Sequence, residues 1–215
     1  MNIIAGIDEA GRGPLIGDMF MAIVVIEEDK ISLLRDLGIR DSKKMYKNQR
    51  EKLFPYILLN SLVISVTRAT PHQIDHENLN SIELKMICRL IKNASRFYKI
   101  NTIYIDAFSD PEKLKNDINN TCNIPKNNLI IKYKADSEFL VVSAASVIAK
   151  VLRDNHIALL KRVYGDFGSG YPSDYRTISW LREYLRKHNE IPPIVRKSWQ
   201  TINKVKSLCN IYNNS

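Results

Sequence analysis

Two adjacent acids, Asp8 and Glu9, close the apolar run at the start of the chain, and Arg12 follows between Gly11 and Gly13. Carboxylates are rarely left in an apolar strand unless they are paired or bind a metal, because desolvating an isolated charge is costly. One interpretation is a metal site that faces a phosphate backbone. The other is a solvated glycine hairpin.

Two further acids, Asp106 and Asp136, follow later apolar runs. If all four carboxylates met at one sheet edge they would repel one another at neutral pH, and divalent Mg²⁺ or Mn²⁺ ions would relieve that repulsion. Two such ions can hydrolyse a phosphodiester, so the pattern predicts a nuclease site. Taken singly, each acid is more often a helix cap or a salt-bridge partner than a metal ligand, and Asp136 in particular lies where a helix cap belongs.

The elements that must position these acids are read from the hydrophobic pattern. Runs rich in apolar and β-branched residues predict five strands, at residues 2–8, 18–28, 61–70, 102–108 and 128–136. The first two are joined as a hairpin. If the first and fourth strands are parallel neighbours connected by a helical crossover, Asp8 and Asp106 lie side by side.

Helical patterns fill the intervals between and after these strands. The strongest covers residues 78–101, with Asn80 or Ser81 as the expected N-cap. Pro55 is expected to disrupt an earlier helix, and one continuous helix is expected from Ser137 onward. Two shorter helices end the chain. Strands alternating with helices in this way predict a mixed α/β sheet in one domain.

Composition sets outer limits on function. The 215 residues are 45% hydrophobic and 26% charged, with 32 basic and 23 acidic side chains and a net charge of +9. This basic excess is compatible with binding nucleic acid, though many small proteins are basic. No apolar run reaches the length of a membrane span, and no secretory signal is recognised, so we expect a cytoplasmic protein without membrane contact.

The three cysteines, Cys88, Cys122 and Cys209, are scattered and form no C-x-x-C pair. This arrangement argues against a disulfide framework and against a structural zinc site. We expect free thiols, with a single bridge left open.

Seven segments together resemble the type 2 ribonuclease H family, ribonuclease HII, in its archaeal single-chain form. In order they are "GIDEAGRGPLIG" (6–17), "DSKKM" (41–45), "NLN" (78–80), "YIDAF" (104–108), "KADSEFLVVSAASVIAKVLRD" (134–154), "GSGYPSD" (168–174) and "RKSW" (196–199). The resemblance covers nearly the whole chain.

The resemblance implies an α/β fold of the ribonuclease H-like class, a mixed five-stranded sheet flanked by helices. It implies a catalytic domain over residues 1–172 and a helical, substrate-contacting C-terminal extension over residues 173–215. The implied activity is hydrolysis of the RNA strand of RNA/DNA hybrids and cleavage 5′ to single ribonucleotides in duplex DNA, leaving 3′-hydroxyl and 5′-phosphate ends. The residues that match the family's catalytic and metal-binding carboxylates are Asp8, Glu9, Asp106 and Asp136, with Asp8 expected to bridge two Mg²⁺ or Mn²⁺ ions.

The same resemblance implies the substrate contacts. The turn formed by Gly11, Arg12 and Gly13 is expected to sense the ribonucleotide's 2′-hydroxyl, and Tyr171 is expected to pack on the sugar at the RNA–DNA junction. Candidate phosphate contacts are Lys43, Lys44, Ser146, Lys150 and Arg153. For Lys150 and Arg153 a solvated helix face remains an equal alternative.

Other classes fit less well. A dinucleotide-binding oxidoreductase requires glycine at the position of Ile16. The type 3 ribonucleases H carry a GTG turn where this chain has GRG. A non-catalytic hybrid- or DNA-binding module would be expected to lack one of the acids. We expect a monomer. The C-terminal "VKSLCNIYNNS" has no paired aromatics of a sliding-clamp peptide, which argues against clamp binding.

Overall fold

The computed structural model describes residues 2–39 and 45–208. Five strands are formed by β1 (Ile3–Ala10), β2 (Met19–Glu27), β3 (Val63–Ala69), β4 (Thr102–Asp106) and β5 (Leu129–Lys132). The helices are α1 (Ile31–Asp36), α2 (Lys47–Asn60), α3 (Pro71–His76), α4 (Leu79–Ala94), α5 (Pro111–Cys122), α6 (Ala135–Glu138), α7 (Leu140–Tyr164), α8 (Tyr175–His188) and α9 (Gln200–Leu208). None of these helices is both long and apolar enough to cross a membrane.

The strands form one mixed sheet in the order β3-β2-β1-β4-β5. The β1–β2 and β2–β3 pairs are antiparallel, and β1–β4 and β4–β5 are parallel. The predicted fold class is therefore confirmed, together with the parallel pairing of the first and fourth strands. That pairing places the carboxyl ends of β1 and β4 at the same edge of the sheet.

Helices cover both faces of the sheet. On one face Ala5 and Ile7 of β1 pack with α4 and α5 in a first core cluster. On the other, Ile4 packs with α1, α2 and α7 in a second cluster. Because successive side chains of a strand point to opposite faces, Asp8 belongs to the α7 face and Glu9 to the α4 face.

The C-terminal helices α8 and α9 build a third cluster around Leu15 and Ile16 of the loop after β1. Ile16 pairs with Val195 in an isolated antiparallel bridge, and the Ile16 N–H donates to the Gly170 carbonyl at 3.1 Å. The last part of the chain is thereby packed against the segment that follows Asp8 and Glu9. The predicted division at residue 172 stays a prediction.

Four local expectations were wrong. Pro55 lies inside α2, where the flanking Leu53 and Ile57 are buried and hold both halves of the helix in place, while the proline itself is exposed. The N-cap of α4 is Asn78, whose side chain accepts from the N–H groups of Asn80 and Ser81.

The strand β5 is shorter than predicted and ends at Lys132, so Asp136 lies in the one-turn helix α6. The expected single long helix is broken at Phe139, which has extended backbone and lies with its ring 4.5 Å from that of Tyr104. Asp136 is therefore carried by a helix of its own rather than by a strand end.

The expectation of free thiols was also wrong for two of the three cysteines. Cys88 of α4 and Cys122 of α5 form a disulfide, with their Cα atoms 5.4 Å apart. The two helices pack side by side in the first core cluster, which brings together cysteines that are 34 residues apart in sequence. Cys209 lies outside the described residues.

Candidate active site

Three aspartates meet at the carboxyl edge of β1 and β4. Ile7 of β1 is paired with Ile105 of β4, so the next residues, Asp8 and Asp106, are neighbours across the parallel pair. Asp136 approaches from α6. One carboxylate oxygen of each lies within 4.8 Å of the other two. Asp8 and Asp136 are buried, and Asp106 is half-buried.

Hydrogen bonds orient these side chains. The Glu9 N–H donates to Asp8 Oδ1 at 2.8 Å, and the Ala135 N–H at the start of α6 donates to Asp106 Oδ1 at 2.8 Å. On the facing helix α7, Ser146 hydrogen-bonds the Asp8 carboxylate and the charge of Lys150 acts on it. The carboxylates are therefore fixed in direction by the backbone and by α7.

The chemistry of this donor set fits a divalent cation. Burial raises the pKa of Asp8 well above its usual value, and the nearby carboxylates of Glu9 and Asp106 raise it further, against the lowering effect of Ser146. Buried oxygen donors that disfavour their own ionisation are stabilised by a hard cation such as Mg²⁺ or Mn²⁺. Three converging carboxylates therefore suit a divalent metal site.

Glu9 does not belong to this group of three. It lies on the α4 face of β1, where burial and then the Glu83 and Asp106 carboxylates raise its pKa to about 7, against the effect of Arg12. Of the four predicted carboxylates, three therefore lie within 4.8 Å of one another, and Glu9 lies next to them on the α4 face, near enough for the charge of Asp106 to act on it. Glu9 takes that face because side chains alternate along a strand. Its role as a metal ligand stays a prediction.

The glycine-flanked turn is held by α4. Arg12 Nε donates to both carboxylate oxygens of Glu83, at 2.9 and 3.1 Å, and its Nη2 donates to Asn80 Oδ1 at 2.7 Å. Glu83 is fully buried; burial raises its pKa to about 7, although Arg12 favours the ionised form. The guanidinium of Arg12 is thus hydrogen-bonded to two side chains of α4.

Gly11 and Gly13 have different reasons to be glycine. The backbone of Gly11 has φ +88°, and a Cβ there would lie 2.9 Å from the Asp18 carbonyl oxygen. A Cβ on Gly13 would meet only the Tyr171 ring, at 3.7 Å. Gly13 therefore marks the side of the turn that faces Tyr171.

Tyr171 and Arg153 continue the surface that begins at the turn. The Arg153 guanidinium lies 5.5 Å from the centre of the Tyr171 ring, and its Nη2 donates to the Ser169 carbonyl at 3.3 Å. Tyr171 is 39% exposed. The structure therefore brings together Gly11, Gly13, Arg153 and Tyr171, which are remote in sequence.

The remaining predicted contacts are placed differently. Ser146 is fully buried and hydrogen-bonds the Asp8 carboxylate, and its contact with phosphate stays a prediction. Lys150 faces the same carboxylate. Lys43 and Lys44 lie outside the described residues, and their contacts with phosphate stay predictions.

Sequence reasoning missed two residues of the site. Glu83 carried a usable signal, since it is a charge on the otherwise apolar face of α4 beside Ile82, Met86 and Ile87. For Arg196 the sequence contains no such signal apart from its place in "RKSW". This arginine is fully buried and donates to the carbonyls of Gly11, Arg12 and Gly17, and burial lowers its pKa to about 10.

Comparison of the structure with solved structures defines its class. The crystal structure of the ribonuclease H2 from Pyrococcus horikoshii OT3 matches with a TM-score of 0.89 at 40% sequence identity, over 97% of this chain and 99% of that chain. The structure of the PCNA:RNase HII complex from Archaeoglobus fulgidus matches with a TM-score of 0.82 at 32% identity, over 99% and 98%. The mixed sheet is thus that of the ribonuclease H-like class, and the carboxylate cluster at its edge fits a metal-dependent nuclease.

Sequence comparison narrows this class. The ribonuclease HII family model matches residues 5–202. Ribonuclease HII of Pyrococcus furiosus is 42% identical over 206 residues, which are 94% of this chain and 91% of that protein. The chain belongs to the ribonuclease HII family, and it is a metal-dependent enzyme with ribonuclease H activity.

The complex with PCNA is a property of the Archaeoglobus fulgidus protein. Our prediction against clamp binding rests on the C-terminal residues 205–215, of which 209–215 lie outside the described residues. It stays a prediction, as does the monomeric state.

Proposed function

We propose that this enzyme hydrolyses the RNA strand of RNA/DNA hybrids and also cuts 5′ to single ribonucleotides in duplex DNA, with two divalent ions, leaving 3′-hydroxyl and 5′-phosphate ends. The observation that carries the proposal is the meeting of Asp8, Asp106 and Asp136 within 4.8 Å at the end of the central parallel strands. The exposed Tyr171 and the adjoining turn offer a surface for the sugar beside these carboxylates.

Asp8, Asp106 and Asp136 would hold the ions, with Glu9 completing the ligand set from the other face of β1. Bound Mg²⁺ or Mn²⁺ supplies Lewis acidity and lowers the pKa of water at the phosphodiester. Asp8 would be the ligand shared by the two ions, as the family resemblance implies, and its carboxylate is near enough to Glu9 and Asp106 for their charges to raise its pKa.

The protein's own groups prepare this site. Ser146 and the Glu9 N–H fix the direction of the Asp8 carboxylate, and the Ala135 N–H fixes that of Asp106. Preorganised ligands lower the barrier because no reorganisation is needed during reaction. The turn contributes through its backbone, since the Arg12 side chain is held by Glu83. A close-approaching backbone suits recognition of a ribose 2′-hydroxyl, the group that distinguishes RNA from DNA.

The proposal is tested with a labelled DNA duplex that contains one ribonucleotide and, in parallel, a long RNA/DNA hybrid. We expect cutting of both, dependent on Mg²⁺ or Mn²⁺, with the 5′ position established by mapping the product ends. Asp8→Asn should abolish cutting of both. Glu112→Gln, which removes one exposed carboxylate in the first turn of α5, is the matched control and should cut as the wild type does.

Cutting of the hybrid alone would contradict the part of the proposal that concerns single ribonucleotides. Activity retained in Asp8→Asn would contradict the assignment of the metal site.

A further inference from the structure

The segment that carries "RKSW" holds the glycine-flanked turn through its carbonyl oxygens. Arg196 Nη2 donates to the Gly11 carbonyl at 2.5 Å and Nη1 donates to the Arg12 carbonyl at 2.8 Å. Trp199 Nε1 donates to the Gly13 carbonyl at 3.2 Å. Three successive carbonyls of the turn are therefore bound by one segment that is more than 180 residues away in sequence.

The environment of Arg196 is unusual for a structural arginine. Its side chain is fully buried, yet among the described residues no carboxylate lies within ion-pair distance of it. Its guanidinium lies 5.0 Å from the centre of the Trp199 ring and also donates to the Gly17 carbonyl at 2.9 Å. A buried charge is costly unless it is well bonded, so these backbone carbonyls are what compensates it.

The direction of these bonds fixes the other side of the turn. In a planar trans peptide the carbonyl and the following N–H point in opposite directions. Since the carbonyls of Gly11 and Arg12 point to Arg196, the N–H groups of Arg12 and Gly13 point away from it. The hydrogen bonds among the described residues include none donated by these two N–H groups, and Pro14, which follows, has no N–H.

Two adjacent, outward N–H groups form a recognised type of anion- or oxygen-binding site. Their position is next to Tyr171, which lies 3.7 Å from where a Cβ on Gly13 would be. We propose that Arg196, assisted by Trp199, is a positioning residue for substrate recognition: it binds the carbonyls of the turn and so aims the N–H groups of Arg12 and Gly13 at the sugar–phosphate of the ribonucleotide.

This role rests on the proposed function and deepens it. Arg196 touches no substrate in this arrangement, because it is buried behind the turn. Its removal should therefore affect how well the turn distinguishes a ribonucleotide from a deoxyribonucleotide, beyond any loss of stability. That difference separates a positioning role from a merely structural one.

The test measures binding by fluorescence anisotropy in the Asp8→Asn background, so that no cutting interferes. Two duplexes of the same sequence are compared, one of DNA only and one with a single ribonucleotide. The readout is the Kd for the DNA-only duplex divided by the Kd for the ribonucleotide-containing duplex. Arg196→Met should lower this ratio about tenfold, the effect of misplacing one charge-assisted or polar contact. Arg196→Lys, which keeps the charge but donates to fewer carbonyls, should give an intermediate ratio.

Ile202→Ala is the matched control, since Ile202 is buried in the third core cluster, which does not include Gly11, Arg12 or Gly13. It should lower the melting temperature and leave the ratio of Kd values unchanged. An unchanged ratio in Arg196→Met would overturn the positioning role of Arg196 and leave the proposed function intact. If Arg196→Met does not fold, an unchanged ratio in Arg196→Lys would overturn it. A ratio of one in Asp8→Asn without a second substitution would instead overturn the proposed ribonucleotide specificity.

Discussion

At the scale of single residues, the site depends on two neighbours that face opposite ways. Asp8 points to α7, where Ser146 and Lys150 lie, whereas Glu9 points to α4 and Glu83. The end of β1 therefore supplies Asp8 to the aspartate cluster and places Glu9 near Glu83. Burial is the largest cause that raises the pKa of both acids, but the neighbouring charges differ: Glu9 and Asp106 act on Asp8, whereas Glu83 and Asp106 act on Glu9.

Glu83→Gln should lower the pKa of Glu9. The Glu83 carboxylate is, after burial, the largest cause that raises the Glu9 pKa to about 7, so removing its charge favours ionised Glu9. The measurement is an NMR titration of the Glu9 carboxyl carbon in metal-free protein between pH 4 and pH 9. Glu112→Gln should leave the midpoint unchanged. An unchanged midpoint in Glu83→Gln would mean that the charge of Glu83 does not raise the Glu9 pKa.

At the scale of elements, the site depends on how closely α7 approaches β1. A Cβ on Gly6 would lie 2.3 Å from the Val141 carbonyl oxygen and 2.5 Å from the Val142 nitrogen. Only a strand residue without a side chain lets the helix backbone pack this near. That contact brings Ser146, one turn further along α7, within reach of Asp8.

Gly6→Ala should destabilise the fold by at least about 3 kcal/mol, because the obstacle is backbone rather than a flexible side chain. The measurement is urea unfolding followed by circular dichroism. Gly13→Ala is the control for stability, since its Cβ meets nothing closer than the Tyr171 ring at 3.7 Å. Equal midpoints for the two variants would show that α7 can shift to accept the methyl group.

The disulfide between α4 and α5 gives a second prediction at this scale. Since 34 residues separate Cys88 from Cys122, reduction should cost about 4 kcal/mol of unfolding free energy on the loop-entropy model. Thiol titration of the denatured, unreduced chain should find one free thiol, and three after reduction. Three thiols without reductant would contradict the bridge. A Cys88→Ser, Cys122→Ser double variant should show no response of its melting temperature to reductant.

At the scale of the whole molecule, the clustered acids set how stability depends on pH. The pKa values of Asp8 and Glu9 are raised in the folded chain, so the folded state holds protons that the unfolded state has lost. The contribution of Glu9 to stability is full below its ordinary pKa of 4.5 and is lost as the pH rises through about 7. The contribution of Asp8 has the same sign, since it is full below the ordinary pKa of 3.8 and is lost as the pH rises through its raised folded-state pKa. A divalent cation that binds only the folded state opposes this loss.

We therefore expect the melting temperature of the metal-free protein to fall by about 5 °C or more between pH 5 and pH 8. Addition of Mg²⁺ should raise it more at pH 8 than at pH 5, because a larger share of the carboxylates is ionised at the higher pH. Calorimetry with EDTA and with Mg²⁺ measures both effects, and Asp8→Asn should reduce both. The lowered pKa of Asp174 does not interfere, because its contribution is lost only below its ordinary value of 3.8. A melting temperature that rises with pH in EDTA would contradict the raised pKa values.

The sequence by itself determined the strands that carry the acids, and their order along the chain. Apolar runs interrupted by glycine and acidic residues are local signals, so the positions of Asp8, Glu9 and Asp106 at strand ends were predictable, and the family resemblance named Asp136 with them. The parallel pairing of β1 with β4 was stated only as a condition. Packing overrode three local expectations: that Pro55 disrupts its helix, that Asn80 or Ser81 caps α4, and that one continuous helix runs through Phe139. The expectation of free thiols failed for Cys88 and Cys122, which only the packing of α4 on α5 brings together.

Only the tertiary structure decided which side chains share a face and which remote segments meet. It decided that Glu9 lies on the α4 face of β1. It also decided three contacts between residues up to 185 positions apart: the Arg12–Glu83 pair, the Cys88–Cys122 disulfide and the hydrogen bonds of Arg196 to the turn. No local pattern encodes such contacts, because they arise from how helices pack on the sheet. Sequence spacing specifies the pieces of this site, and the packing of α4, α7 and the C-terminal segment determines how they act together.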